Sequence, residues 1–236
     1  MFGISTFCLH KQPLSEALGT LSKMTGFVEV MDDGLHHIED AEILASYTMK
    51  YSLHAPSRGT NLASLLEPIR RASVEVMAEC FRIAGEVGAP VVLHPGYFAW
   101  EEERKKAERQ LGLSLDELHF HAQEYSVEFF VENMGDWPYF LLKTPAELPL
   151  IGNTPFALDV GHAHQNHCLD DFLQCPAGHY HLHDNDGTAD THVAVGEGTI
   201  DFSAVMQAVR KSGIDPIIEV ATLEGVERSI GMLGTL

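Results

Sequence analysis

Residues 51–56 read YSLHAP and residues 91–96 read VVLHPG. Each is a short apolar run that ends in a histidine and is broken at once by a turn containing proline. A proline cannot continue a strand interior, so His54 and His94 stand at the ends of their strands. A helical pattern over about 61–86 separates the two runs. Two strands joined through a helix pair in parallel by a right-handed crossover, and both histidines then point to the same end of the sheet.

The same unit recurs outward in both directions. Candidate strands lie at 2–7, 26–31, 49–54, 90–94, 127–132, 155–159, 179–183 and 216–220, with helical patterns at about 13–24, 37–45, 61–86, 99–124 (broken), 143–148, 167–174, 201–211 and 223–234. Eight βα units predict an α/β fold, a parallel eight-stranded (β/α)8 TIM barrel. The 236 residues suit one such domain over 1–236, since this barrel typically takes about 250.

Local signals set expectations for the helix ends. Thr60 or Asn61 is placed to cap the third helix, and Gly88 lies just past its end. Pro68 should kink that helix or mark its true start. Ser114 and Glu117 fit a capping box that opens a new helix after Gly112. Asp201 is placed to cap the helix that stops before Gly213. In the long 97–125 segment, the EEERKKAER run reads as a solvated helix face, with Arg104, Lys105, Lys106 and Arg109 as candidate phosphate contacts.

Seven further metal-binding side chains sit at strand tips or in the loops that follow: Glu132 in FFVENM, Asp159 and His162 in ALDVGH, His181 in HYHLHDND, Asp190 and His192 in ADTHVAVGEG, and Glu219 in IIEV. A carboxylate closing an apolar strand is costly unless a cation offsets it. Gly161 permits a tight bend, so Asp159 and His162 can serve neighbouring ions. His179, His181 and His183 alternate and share one strand face. His181 is the expected ligand, His183 its rival, and Asp184 a candidate supporting residue. His164 and His167 read as exposed or supporting. With His54 and His94, nine candidate ligands on six strands predict a polynuclear metal centre at one mouth of the barrel, where barrel active sites form.

The bulk numbers narrow the partners. Fifteen Lys and Arg against 34 Asp and Glu give a net charge of −19. That repels polyanions and argues against broad nucleic-acid affinity. No long apolar run suggests a membrane span, and no signal peptide is read at the N-terminus. Cys8, Cys80, Cys168 and Cys175 form no CxxC and read as reduced thiols of a cytoplasmic protein.

The motifs HAP, LHPG, VENM, LDVGHAH, HLHDNDG and ADTH followed by VGEGTIDF, with the final Glu219, resemble the xylose-isomerase-like TIM-barrel superfamily. Within it the pattern is most similar to the endonuclease IV family, also called AP endonuclease family 2. That resemblance covers nearly the whole chain and implies up to three zinc ions. Glu132, Asp159, His181 and Glu219 would hold one. His54, His94 and a bridging Glu132 would hold a second, and His162, Asp190 and His192 a third. The implied chemistry is metal-assisted phosphoester hydrolysis on a small phosphoester or abasic DNA. After His54 the chain reads APSRGTN, without the bulky residues that family inserts into DNA.

The superfamily's sugar isomerases and epimerases are the alternative. The resemblance to them implies one Mn²⁺, Mg²⁺ or Co²⁺ on Glu132, Asp159, His181 and Glu219, with Glu132 and Glu219 transferring protons on a sugar. Asp190 with His192 discriminates between the two, since a single-ion epimerase has no need of that pair.

Overall fold

The computed structural model describes residues 1–236. Strands β1 (Gly3–Ser5), β2 (Phe27–Met31), β3 (Lys50–His54), β4 (Val91–Leu93), β5 (Phe129–Glu132), β6 (Phe156–Asp159), β7 (His179–Leu182) and β8 (Ile217–Ile218) form a closed barrel in sequence order. Every pairing is parallel, and β1 closes on β8 with Gly3 opposite Ile217. Helices α1 (Leu14–Leu21), α2 (Glu42–Ala45), α3 (Glu67–Val87), α4 (Arg104–Tyr125), α5 (Val160–Gln165), α6 (Leu169–Phe172), α7 (Phe202–Ser212) and α8 (Leu223–Leu233) lie between or after the strands.

The apolar core is divided. A cluster of 57 buried residues fills the layer between strands and helices. Inside the barrel, a group of only three, Val92, Phe130 and Ala157, is packed together. Polar side chains share that interior, with Glu29, Ser52 and His179 buried there.

Several helix ends differ from expectation. Pro68 marks a start rather than a kink: α3 begins at Glu67, with Pro68 in its first turn, where a missing N–H costs nothing. Thr60 and Asn61 therefore cap no helix. Asn61 instead clamps the turn after β4, donating from Nδ2 to the Tyr97 carbonyl (3.0 Å) and accepting from Tyr97 N–H (3.0 Å). Gly88 does close α3 in the left-handed region, at φ 65°.

The expected break at Ser114 is absent, and α4 runs through it unbroken. Ser114 is buried and used in tertiary contacts, donating to the Leu62 carbonyl (2.7 Å) and accepting from Arg70 (3.2 Å). The capping box lies elsewhere, on Thr144 and Glu147 at the start of the 3-10 turn Pro145–Ile151. Asp201 caps α7 as expected, accepting from Ser203 N–H. The acidic and basic run of α4 is largely solvated, and Arg104 pairs with Glu108 and Glu147. All four cysteines are free, and no helix is long and apolar enough to cross a membrane.

Candidate metal centre

Side chains alternate along a strand, so inward positions at the C-terminal tips share one mouth. The nine side chains singled out from the sequence converge there in three groups, of which the first two share Glu132. His54, His94 and Glu132 form one, and Glu132, Asp159, His181 and Glu219 form another. The third contains His162, Asp190 and His192, joined by His183.

Glu132 sits at the crossing. Its Oε2 is 3.2 Å from His54 Nε2 and 3.0 Å from His94 Nε2, while its Oε1 is 2.9 Å from His181 Nδ1. Glu219 Oε2 lies 3.3 Å and Asp159 Oδ2 3.9 Å from that same nitrogen. In the third group, Asp190 Oδ2 stands 3.2 Å from both His162 Nε2 and His192 Nε2. Two donors bonded to a zinc ion at roughly 2.0–2.1 Å stand about 3.3 Å apart in a tetrahedral site. The spacings and the His/carboxylate donor set therefore fit divalent ions.

A ligating imidazole uses one nitrogen on the metal and donates the other N–H to an outer acceptor. His54 Nδ1–H donates to the Ala55 carbonyl (3.0 Å), His162 Nδ1–H to Asn133 (2.8 Å) and His192 Nδ1–H to the Glu219 carbonyl (2.8 Å). Each leaves Nε2 facing the centre. His181 is reversed: its Nδ1 faces the ligand carboxylates, and its Nε2 lies 2.7 Å from Glu29 Oε1. That approach is short but bent, so Nε2 has no well-aligned acceptor.

His183 breaks the pattern. Its Nε2 is 3.0 Å and 3.1 Å from the two oxygens of Asp159, and its buried Nδ1 has no partner. Binding a metal through Nε2 would force a proton onto that orphaned Nδ1, whereas donating Nε2–H to Asp159 leaves Nδ1 as a bare acceptor. The second arrangement costs less, because a buried donor without an acceptor carries the full desolvation penalty. The geometry thus sets His183 beside Asp159 as its hydrogen-bond donor.

Backbone anchors hold these groups. Asn133, next to Glu132 in VENM, is fully buried. It accepts from Asp159 N–H (2.8 Å), donates to the Asp159 carbonyl (3.0 Å), and offers its own carbonyl to His162. Asp159 caps α5 by accepting from His162 N–H (2.7 Å), which fixes the two residues in one turn. A Cβ on Gly161 would come within 2.0 Å of the His183 ring, so only glycine lets that ring sit against the turn. His192 adopts a left-handed φ of 46°.

The side chains of the centre polarise one another strongly. Burial opposes ionisation of Glu132, yet His181, His54 and His94 outweigh it and hold the carboxyl well below its usual range. Burial likewise opposes charge on His54 and His192, but the carboxylates of Glu132 and Asp190 raise both to about 9. A cavity of about 280 Å³ opens above, lined also by Phe7, Met31, Ser57 and Arg58. Arg58 is the one lysine or arginine on its wall.

A family model described as a xylose isomerase-like TIM barrel matches residues 38–233. The chain belongs to that family. Among its relatives is the uncharacterised protein MJ1614 of Methanocaldococcus jannaschii, 33% identical over 228 residues that cover 92% of this chain and 91% of the relative. A probable endonuclease 4 of Mycobacterium leprae is 27% identical over 212 residues, covering 82% of this chain and 81% of that one. The crystal structure of a D-tagatose 3-epimerase-like protein superposes with a TM-score of 0.91 at 25% identity, over 99% of this chain and 96% of the other.

Some of the site lies outside what the sequence signalled. Glu29, Asn133 and Asn61 carry no ligand-like placement in the sequence, although Glu29 in FVEVM is a lone acid in an apolar strand. Asp184 serves the following loop rather than the centre, accepting from Asn185, Gly196 and Ile200 N–H. His164 binds Thr199 near the surface, and Cys168 faces the carbonyls of Lys143 and Ala163. His164, His167 and Cys168 belong to none of the clusters of candidate ligands.

Proposed function

We propose that this chain is a metal-dependent phosphoesterase that holds two or three zinc ions on the nine side chains named above. The observation that carries the reading is the third group: Asp190 Oδ2 at 3.2 Å from both His162 and His192. A single-ion isomerase has no use for that trio. Bound divalent ions supply Lewis acidity and neutralise charge on a phosphoester. Glu132 would bridge the first two groups and keep them at a fixed separation. Arg58 on the cavity wall would pair with the anionic ester, and Phe7 and Met31, which also line the cavity, would limit water there. The cavity of about 280 Å³ and the net charge of −19 favour a small phosphoester over abasic DNA.

A second reading rests on one observation: Glu132 and Glu219 approach the same nitrogen of His181, at 2.9 Å and 3.3 Å. Two carboxylates flanking one ion on Glu132, Asp159, His181 and Glu219 are what proton transfer on a ketose needs. The fold shared with a D-tagatose 3-epimerase-like protein is consistent with it.

The test has two arms. Elemental analysis of protein purified without added metal should find more than one ion per chain, and His192→Ala should lose one while keeping the fold. Wild type is then incubated in D₂O with simple phosphoesters, abasic-site DNA and a panel of ketoses. Phosphoester cleavage without deuterium uptake supports the proposal. One ion per chain with deuterium incorporated into a ketose would replace it with the epimerase.

A further inference from the structure

Beneath the mouth, Glu29 is fully buried on β2 and faces the barrel interior. It pairs in register with Ser52 of β3, whose Oγ donates to Glu29 Oε2 at 2.8 Å. The same Oε2 lies 2.8 Å from His179 Nε2, while Oε1 lies 2.7 Å from His181 Nε2. One carboxylate therefore meets two imidazoles of β7 and a hydroxyl of β3.

Both separations lie within hydrogen-bonding reach, but both approaches are bent, so neither His179 Nε2 nor His181 Nε2 has a well-aligned acceptor. His181 Nε2 meets this single carboxylate, whereas its Nδ1 faces three, at 2.9, 3.3 and 3.9 Å. A proton on Nε2 would lie on the Glu29 side of the ring and leave Nδ1 bare toward the mouth.

We infer that Glu29 is a positioning residue: by taking the Nε2 proton of His181 it fixes the tautomer and ring orientation that aim Nδ1 at the metal centre. This rests on the metal-binding reading of the mouth, and on neither choice of reaction. A carboxylate behind a ligating histidine raises its basicity, and loss of such a partner typically weakens metal binding about 10–100-fold. Ser52 and His179 in turn hold the carboxylate. A glutamine at position 29 keeps the volume but can donate as well as accept, so it no longer dictates which nitrogen of His181 carries the proton.

The experiment titrates chelator-treated full-length protein with Zn²⁺ against a competing chelator, for wild type, Glu29→Gln and Ser52→Ala. Long-range ¹H–¹⁵N spectra of the loaded proteins report histidine tautomers, and melting of the ion-free variants checks the fold. Wild type should show His181 protonated at Nε2. Glu29→Gln should bind one ion about 10–100-fold more weakly, with the other affinities unchanged and the His181 signature altered. Ser52→Ala should shift the same ion in the same direction by less, and it carries the test where Glu29→Gln does not fold. Affinities and tautomers unchanged in both variants would overturn the inference while leaving the metal centre standing. A Glu29→Gln protein that loses one whole ion, with the remainder bound as in wild type and His181 unchanged, would overturn it in favour of a cation held by Glu29 and His179. No zinc uptake by wild type would remove the metal reading itself, and this inference with it.

Discussion

Asn133→Ala should be among the most damaging single changes near the mouth, although Asn133 is not one of the nine candidate ligands. The side chain satisfies both the N–H (2.8 Å) and the carbonyl (3.0 Å) of Asp159, and the site is closed to solvent. Truncation takes one donor from a carbonyl that still accepts the first hydrogen bond of α5, and leaves the buried Asp159 N–H unpaired, at about 1–3 kcal/mol. That is a large share of the about 5–15 kcal/mol that holds a typical domain together. For a chain of this length each 1 kcal/mol moves Tm by about 2–4 °C, so a loss near 3 kcal/mol corresponds to roughly 6–12 °C. The assay is urea unfolding of the ion-free protein, read as a lower midpoint at unchanged slope. Ion-free conditions separate the effect from metal binding. A loss under about 1 kcal/mol would mean that water or a backbone shift replaces the clamp, and the account of how VENM organises the mouth would be wrong.

Gly161→Ala should cost about 1–3 kcal/mol as an overpacked position, because the new methyl meets the His183 ring at 2.0 Å. Urea unfolding reads this directly, and a neutral result would show that the ring is free to move. Raised values of about 9 for His54 and His192 lie above the unfolded value near 6.5. Their contribution to ion-free stability is therefore complete below about pH 6.5 and lost as pH rises through about 9. Zinc needs the neutral rings, so its affinity should rise over the same window; flat profiles for both quantities would refute the pairing. Arg58→Ala should raise KM for an anionic phosphoester about tenfold or more, the worth of a charged hydrogen bond at roughly 1.5–3 kcal/mol. kcat should stay within about twofold if the residue only binds, and an equal loss with a neutral substrate would point to a structural role.

The barrel and the convergence of nine side chains were legible because strand ends do two jobs in this sequence. An apolar run marks the strand, and a His, Asp or Glu at its end marks the mouth. His181 and His183 could not be separated in the same way. They share a strand face, and only the positions of Asp159 and Glu29 decide which nitrogen has an outer partner. Glu29 was missed because a lone acid in FVEVM looks like the outward member of an alternating strand. In a closed barrel that face is the interior, and burial there becomes visible only once Ser52 and the β7 histidines are in place. Ser114 failed for the opposite reason: a strong local capping signal was overridden by tertiary hydrogen bonds to Leu62 and Arg70.

The nine converging side chains come from β3 through β8 and their loops, and none from β1 or β2. Sequence separation along this arc is long, from His54 to Glu219, so ions held there, as proposed, would act as cross-links over loops that are expensive to close. Resistance to opening should then be graded around the barrel. In a loaded protein the arc from β3 to β8 would be stapled, while β1 and β2 give no ligand to the centre. Glu29 is the thread that ties β2 to the stapled arc, beneath His181. Local opening should therefore begin at β1, which has no such tether, and amide exchange would register it as a seam beside an otherwise locked ring.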